Sequence, residues 1–527
     1  MESSDDHSQR TFSEREGMTM STAQAATTGG EGSTPPISTV AGTGVAGFTG
    51  DNGPAVAAQL NRPYGIAVDS AGTLYFSDYN NHRVRKITTD GKVSTVAGIG
   101  SAGYRGDNGP AVSAQLNCPR EVAVDGAGAV YVTDAENHRV RKITADGTIS
   151  TVVGTGVAGF SGDGGPATAA RLNRPFGVAV DSTGVLYVTE YNNNRIRKVA
   201  ADGTISTVAG TGATGNRGDD GPAASAQLNR PYGVAVDGAG AVYIADTDNH
   251  RIRKITADGT ISTVAGTGTG GFDGDGGPAT AARLNRPMGV VIDSTGTLYV
   301  ADYGNHRIRK ITTDGKIGTV AGTGTGGFGG DGGPPASAQV NNSLGVAVDC
   351  VDTLYIADYG NHRVRKVASA RMAGLPESGS VVSWANVRSR LRMGVQRESL
   401  QDGAEIHQTL AAARDHQRWR LLVAGQDGGE VLYTIENLRS GKVLEVVAAQ
   451  VRNGAVAAQR AYEGGDAHHQ QWRLIPVGST SDTPRVYEIA NRNSGLLLRV
   501  DTNARAVIKQ HGAEGDHRDR QWQLLPV

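Results

Sequence analysis

GIAVDSAGTLYFSDYNNHRVRKI, residues 65–87, decides how this chain folds, because its phrases return at a constant step. N-H-R-[VI]-R-K starts at Asn81, Asn137, Asn249, Asn305 and Asn361, and N-N-R-I-R-K starts at Asn193. The step is 56 residues throughout, across positions 37 to 366, with no insertion or deletion. The loop residues Asp51, Asp107, Asp163, Asp219, Asp275 and Asp331 keep the same step. Self-similarity at a fixed period of this size signals a repeat architecture.

The first copy shows what one unit builds. ISTVAG (37–42) reads as a strand, followed by a Gly-rich loop over 43–63. Within the loop, Pro54 suits the first position of a short helix over Ala55 to Leu60. GIAVD (65–69), LYFSD (74–78) and HRVRKI (82–87) read as three more strands. The Asp-Gly of TTDGK is a hairpin-turn signal leading to the next VSTVAG. Four short strands per unit, apolar along most of their length, suit a propeller blade buried on both faces by its neighbours. A parallel β-helix would need shorter coils, and helical solenoids a 3.6-residue period that the chain lacks.

Strand counting sets the closure. The last inner phrases end at HRVRKV (362–367), and no seventh STVAG follows. The spare outer strand is 37–42, before the first inner strand. It is expected to pair with the last blade and so remove the ring's open edges. The expected fold is all-β: a six-bladed β-propeller of four-stranded blades over 37–370, followed by a second module.

These phrases resemble the NHL repeat family, named for an Asn-His-Leu phrase; this chain carries Arg where the name has Leu. The resemblance spans about 330 residues. It implies a six-bladed propeller, usually in a binding or scaffold role, with a few related six-bladed propellers being enzymes.

After Lys366 the glycine phrases stop, and RMAGLPESGS (371–380) reads as a linker. A weaker three-fold pattern follows over 381–527. Gln-x-Trp occurs at Gln417–Trp419 and Gln470–Trp472, and the third copy reads Arg520-Gln521-Trp522. Gln408, Gln459 and Gln510 lie 51 apart, and YTIENLRSGKVLEV (433–446) matches YEIANRNSGLLLRV (487–500). This pattern resembles the ricin-type β-trefoil lectin family, which binds sugars in shallow pockets. There an acid and Gln or Asn side chains hold hydroxyls, and an aromatic ring stacks on the sugar. By that resemblance the three Trp are core. The acid position holds Gly394, Glu445 and Arg499, and the stacking position Thr409, Arg460 and His511. Only the middle lobe keeps an acid, so Glu445, Gln459 and Tyr462 are its candidate carbohydrate-binding residues.

Composition limits the alternatives. At 527 residues the chain exceeds one compact core. Its 75 Gly recur at fixed turn positions, and with 7 Phe and 4 Trp, small and β-branched side chains must fill most of the core. The formal charge is −1, with residues 37–370 balanced at 29 basic and 29 acidic groups. That balance argues against a nucleic-acid partner. Two cysteines, Cys118 and Cys350, sit at non-equivalent positions, which argues against a disulfide framework. No apolar run reaches the roughly 20 residues of a membrane-spanning helix. Residues 1–36 read as a disordered tail without a signal-peptide pattern. That pattern points to the cytoplasm, whereas the trefoil resemblance points to export. A monomer is expected.

Among the repeated polar residues, Asp78 and Arg85 with their equivalents read as an internal ion-pair network. The Gly-rich loop aspartates read as Asx-turn and helix-capping groups. The histidines lie one per blade (His82, His138, His250, His306, His362) and are too far apart to share a metal. No metal site, cofactor or catalytic constellation is expected. A specific site must therefore come from positions where the copies differ. Just before the inner strand the copies read Tyr64, Arg120, Phe176, Tyr232, Met288 and Leu344. Two residues earlier they read Arg62, Cys118, Arg174, Arg230, Arg286 and Asn342. In propellers this junction lies at one mouth of the central channel. Arg62, Tyr64, Arg120, Arg174, Phe176, Arg230, Tyr232 and Arg286 are the candidate ligand-binding residues, for a small anionic or peptidic ligand or a protein partner. Blades 2 and 6 break the pattern most, through Cys118, Arg120 and Glu121, and through Asn342, Ser343 and Cys350. The expected function is non-enzymatic binding. The competing reading is a metal-dependent propeller lyase or hydrolase with the trefoil as a targeting module.

Overall fold

In the computed structural model the described residues are 35–369, 376, 378–386, 392–409, 415–427, 430–451, 455–464, 467–477, 486–494, 496–500, 508–511 and 520–526. The expected tail therefore lies outside the described residues, apart from its last two positions. So does most of the expected linker.

The first blade contains β2 (Pro63–Val68), β3 (Leu74–Asp78), β4 (Arg83–Ile87) and β5 (Val93–Ala97), after β1 (Ile37–Ala41). β2 to β5 form one antiparallel sheet in chain order, and five further sheets of the same plan follow. The last blade takes its fourth strand from the front of the chain. Ile37 pairs with Val367 and Thr39 with Arg365, so β1 closes the ring.

Six hydrophobic clusters, one at each blade junction, replace a single core. At the closing junction Leu60, Ile66, Phe76 and Val93 pack against Ala347, Ala357 and Val364. Few large aromatics are needed because each cluster is only one blade interface thick.

The ion-pair reading holds and extends further than expected. Register sets Asp78 opposite Arg83, and Arg85 opposite Thr95. Arg85 is fully buried and meets Asp78 at 3.3 Å and Asp51 at 2.7 Å. Asp51 also accepts the Thr95 hydroxyl at 2.6 Å. The loop aspartates are thus not capping groups: they tie the Gly-rich loop to the two outer strands. Burial pushes the Asp78 carboxyl up to about 6, against the pull of Asn81, the Asn61 amide and Arg85. The short helix expected over 55–60 is a single 3-10 turn, Ala55–Ala57, with Pro54 just ahead of it. The helix ends where Ala58, buried like Ala55, turns extended (φ −78, ψ 152).

Strands from Val381–Asn386 to Gln521–Pro526 join one twelve-stranded sheet. Its core holds Trp384, Trp419, Trp472 and Trp522, all fully buried. Trp419, Trp472 and Trp522 donate their indole N–H to the carbonyls of Met393, Leu444 and Leu498 at 2.9–3.1 Å. Each acceptor immediately precedes an acid-position residue of its lobe, so the same bond is repeated three times around the trefoil. Cys118 and Cys350 are free thiols.

Candidate functional site: the channel mouth and the middle trefoil lobe

The inner strands bring Tyr64, Phe176, Tyr232, Met288 and Leu344 into one buried cluster. Tyr64 stacks on Tyr79 and Tyr232 with centroids 5.2 and 5.8 Å apart, and Phe176 stacks on Tyr191 at 4.2 Å. This tier fills the channel mouth. Arg120 lies inside it, with its guanidinium 3.7 Å from the Phe176 ring centre and bonded to the Tyr64 hydroxyl. A cation among aromatic faces is stabilised by the ring quadrupoles. Burial raises the Tyr64 phenol well above its ordinary range.

The second set of candidates stands apart, as a rim. Arg62, Arg174, Arg230 and Arg286 adopt left-handed backbone (φ 51–61), as do Cys118 and Asn342. Such a conformation costs a non-glycine residue about 1–2 kcal/mol, so its neighbours must enforce it. Here the enforcing group is the repeated histidine. His362 Nδ1 accepts the Arg62 amide at 3.1 Å, and His82, His138, His250 and His306 hold the following blade's amide at 3.0–3.2 Å. In the third blade Asn194 Oδ1 holds Arg230 at 2.9 Å. The histidines are thus latches between successive blades.

The rim cations are only partly neutralised. Arg174 binds Glu136 (Nε to Oε1, 3.1 Å), while Arg230 and Arg286 share Asp248, each at 3.2 Å. Arg62 lies over the Tyr359 ring at 5.4 Å. Glu136 and Asp248 were missed by sequence reasoning. Their signal was available: the position before the repeated Asn reads Asn80, Glu136, Asn192, Asp248, Gly304 and Gly360.

In the trefoil, Glu445 is buried, receives Arg460 Nε at 2.9 Å and lies 3.5 Å from His469 Nε2. Tyr462 is half exposed nearby in the chain. Gln459 is fully buried, and its amide ties the middle lobe to the first. It accepts Ser440 Oγ at 2.7 Å and donates to the carbonyls of Ser399 and Gln401 at 2.9 and 3.0 Å. Gln459 thus braces the first two lobes against each other. The side chains of Thr409, Arg499 and His511 lie outside the described residues. No grouping of three or more His, Cys, Asp or Glu that could hold a metal occurs among the described residues.

The fold and repeats define an NHL-type six-bladed propeller joined to a ricin-type β-trefoil. The teneurin NHL domain family matches residues 44–105, 99–161, 158–217 and 211–272, and the NHL repeat matches 284–311. The ricin-type beta-trefoil lectin domain-like family matches 371–460 and 415–511. Teneurin-1 of Mus musculus is 32% identical over 289 residues, covering 47% of this chain and 10% of the relative. Teneurin-m of Drosophila melanogaster is 29% identical over 365 residues, covering 62% and 12%. The chain thus spans about a tenth of the length of these relatives. A solved structure of a protein of unknown function from Bacteroides thetaiotaomicron has a TM-score of 0.48 at 21% identity, covering 63% of this chain and 75% of that one.

Proposed function

We propose that this protein is a non-enzymatic binding scaffold whose propeller rim engages an acidic peptide or small anionic ligand. One observation carries this reading: four arginines stand on enforced left-handed backbone around a filled channel mouth, facing two carboxylates. Cations held on rigid backbone lose little freedom on binding, which favours affinity. The aromatic tier beneath them gives a firm floor. The likeness to teneurin NHL domains supports a binding role for the ring.

The trefoil adds a carbohydrate contact at the middle lobe, centred on Glu445 and Tyr462. The likeness to ricin-type lectins supports this second contact. Two tethered contacts gain avidity when their targets are linked.

The experiment uses a fluorescein-labelled tetraglutamate peptide on the full chain, with a glycan array for the second contact. Replacing Arg174 and Arg230 together with Ala is expected to abolish peptide binding while leaving the melting temperature in place. Glu445→Ala is expected to remove any glycan signal. Undiminished peptide binding by the double variant would exclude the rim, and a blank array with the wild type would exclude the lectin contact.

A further inference from the structure

Five blades begin the lumen-facing part of the inner strand with glycine: Gly65, Gly177, Gly233, Gly289 and Gly345. The reason is steric. A Cβ at any of them would press into the next blade's inner-strand carbonyl, as at Gly65 against Arg120 O and Gly233 against Met288 O, both 2.5 Å. In blade 2 the same position is Glu121. The ring has thus given up a glycine where close packing wants one and placed a carboxyl there.

That carboxyl lines a cavity of about 200 Å³ on the channel axis, walled by the inner strands of all six blades. Every other side chain on the wall is apolar, among them Ile66, Val122, Val178, Val234 and Val290. Arg120, next in the chain, turns away into the aromatic tier and bonds to Tyr64. The groups that face the Glu121 carboxyl are the backbone amides of Val122 and Ile66. Burial pushes its pKa up to about 8, with no cation among the causes that lower it. A carboxyl among apolar side chains, with no cation beside it, offers an entering cation an attraction that strengthens as water is excluded.

The chemistry selects among cations. A divalent metal wants six to eight oxygen ligands, or octahedral geometry kept with water, and the wall offers it a single carboxylate among side chains that are otherwise apolar. An ammonium group needs a few acceptors and brings its own apolar stem. An apolar cavity of about 150 Å³ suffices for benzene, so this one has room for a stem of four or five carbons. The aromatic tier fills one end of the channel. At the opposite end of the inner strands Val68, Val124, Val180 and Val236 are partly exposed and give an entry.

We propose that the central channel binds a primary ammonium group on a short aliphatic stem, with Glu121 as its counter-ion and the inner-strand Val, Ile and Ala side chains holding the stem. The site is separate from the rim and does not depend on it.

Calorimetric titration of the full chain with n-butylammonium chloride at pH about 9, where the Glu121 carboxyl is ionised and the amine still protonated, tests this, with n-butanol as the neutral control. Saturable one-to-one binding is expected, at least tenfold tighter than the alcohol. Glu121→Gln keeps the shape and removes the charge; Glu121→Gly restores the residue of the other five blades and so protects the fold. Each is expected to weaken n-butylammonium at least tenfold. The Arg174→Ala, Arg230→Ala rim variant is expected to bind it normally, which separates this site from the proposed peptide site. Absence of saturable binding by the wild type, or equal affinity in either Glu121 variant, would overturn the proposal.

Discussion

The repeated histidines show how much one residue does in this ring. His82, His138, His250, His306 and His362 have left-handed backbone (φ 50–55), and each accepts an amide from the next blade. An accepting Nδ1 must be unprotonated, and burial lowers all five pKa values below the ordinary 6.5. A base with a depressed folded pKa contributes stability that is present above its unfolded pKa and is lost as pH falls through the folded one. The buried carboxylates act the other way. Asp78, Asp134, Asp246, Asp302 and Asp358 are raised to about 6, so their contribution is present at low pH and is lost as pH rises through that value. A melting profile of the wild type alone mixes the two. Asn194 shows how to separate them, since its amide oxygen accepts the same bond without titrating. With Asn at all five positions, the melting temperature should gain on the wild type as pH falls from about 7.5 to about 5.5. A gap that stays constant across that window would refute the latch. Sequence spacing argued against a shared metal for these histidines. It could not reveal the latch, because the acceptor's partner is a backbone amide 36 residues along the chain.

At the scale of elements, β1 is the clearest case. Ile37 and Ala41 are fully buried, and Thr39 donates to Asp331 at 2.5 Å, just as Thr95 donates to Asp51 within the first blade. β1 therefore supplies the last blade with its fourth strand, its loop tie and part of its junction. Removing Ile37–Ala41 leaves the Arg363–Val367 strand as an open edge and unpairs one side of Asp331, which also holds Arg365 at 2.5 Å. Scanning calorimetry should show the main propeller transition shifted to lower temperature, with aggregation on heating. An unchanged transition would mean that the ring closes without β1. The closure was legible because strand counting leaves one outer strand over. The Gly-rich loop was less so: its aspartates looked like turn formers, and only the fold brings Asp51 within 2.7 Å of an arginine 34 positions away.

Propeller and trefoil meet through a part of blade 6 that departs from the repeat. The turn between inner and second strands reads Ser70-Ala71-Gly72 in blade 1 and Cys350-Val351-Asp352 in blade 6. Val351 is buried with the trefoil core residues, and Asp352 takes the left-handed backbone (φ 63) that glycine holds in the other blades. On the trefoil side, Ser378 Oγ accepts the Val423 amide at 3.2 Å and the Gly379 amide bonds Leu421 O at 2.7 Å, so the start of the trefoil chain is anchored beside the same core. Burying a valine is worth about 1.5–3 kcal/mol, enough to couple two modules. Val351→Asp is therefore expected to split thermal unfolding into two separate transitions and to speed proteolysis between residues 367 and 381. A single unshifted transition in that variant would show that the modules do not unfold together through this contact.

The order of residues alone determined the repeat, the six blades, the borrowed strand and the three-lobed second module. Those features follow from local periodicity and strand count, which need no knowledge of what lies across the ring. The tertiary structure decided which varying residues share a place. Tyr64, Arg120, Phe176 and Tyr232 became a filled tier, the rim arginines found Glu136 and Asp248, and Gln459 reached across to the first lobe. Glu121 looked like one more departure from the repeat. Closing the ring put it in the channel, because residues 56 or more positions apart become neighbours when six inner strands converge on one axis.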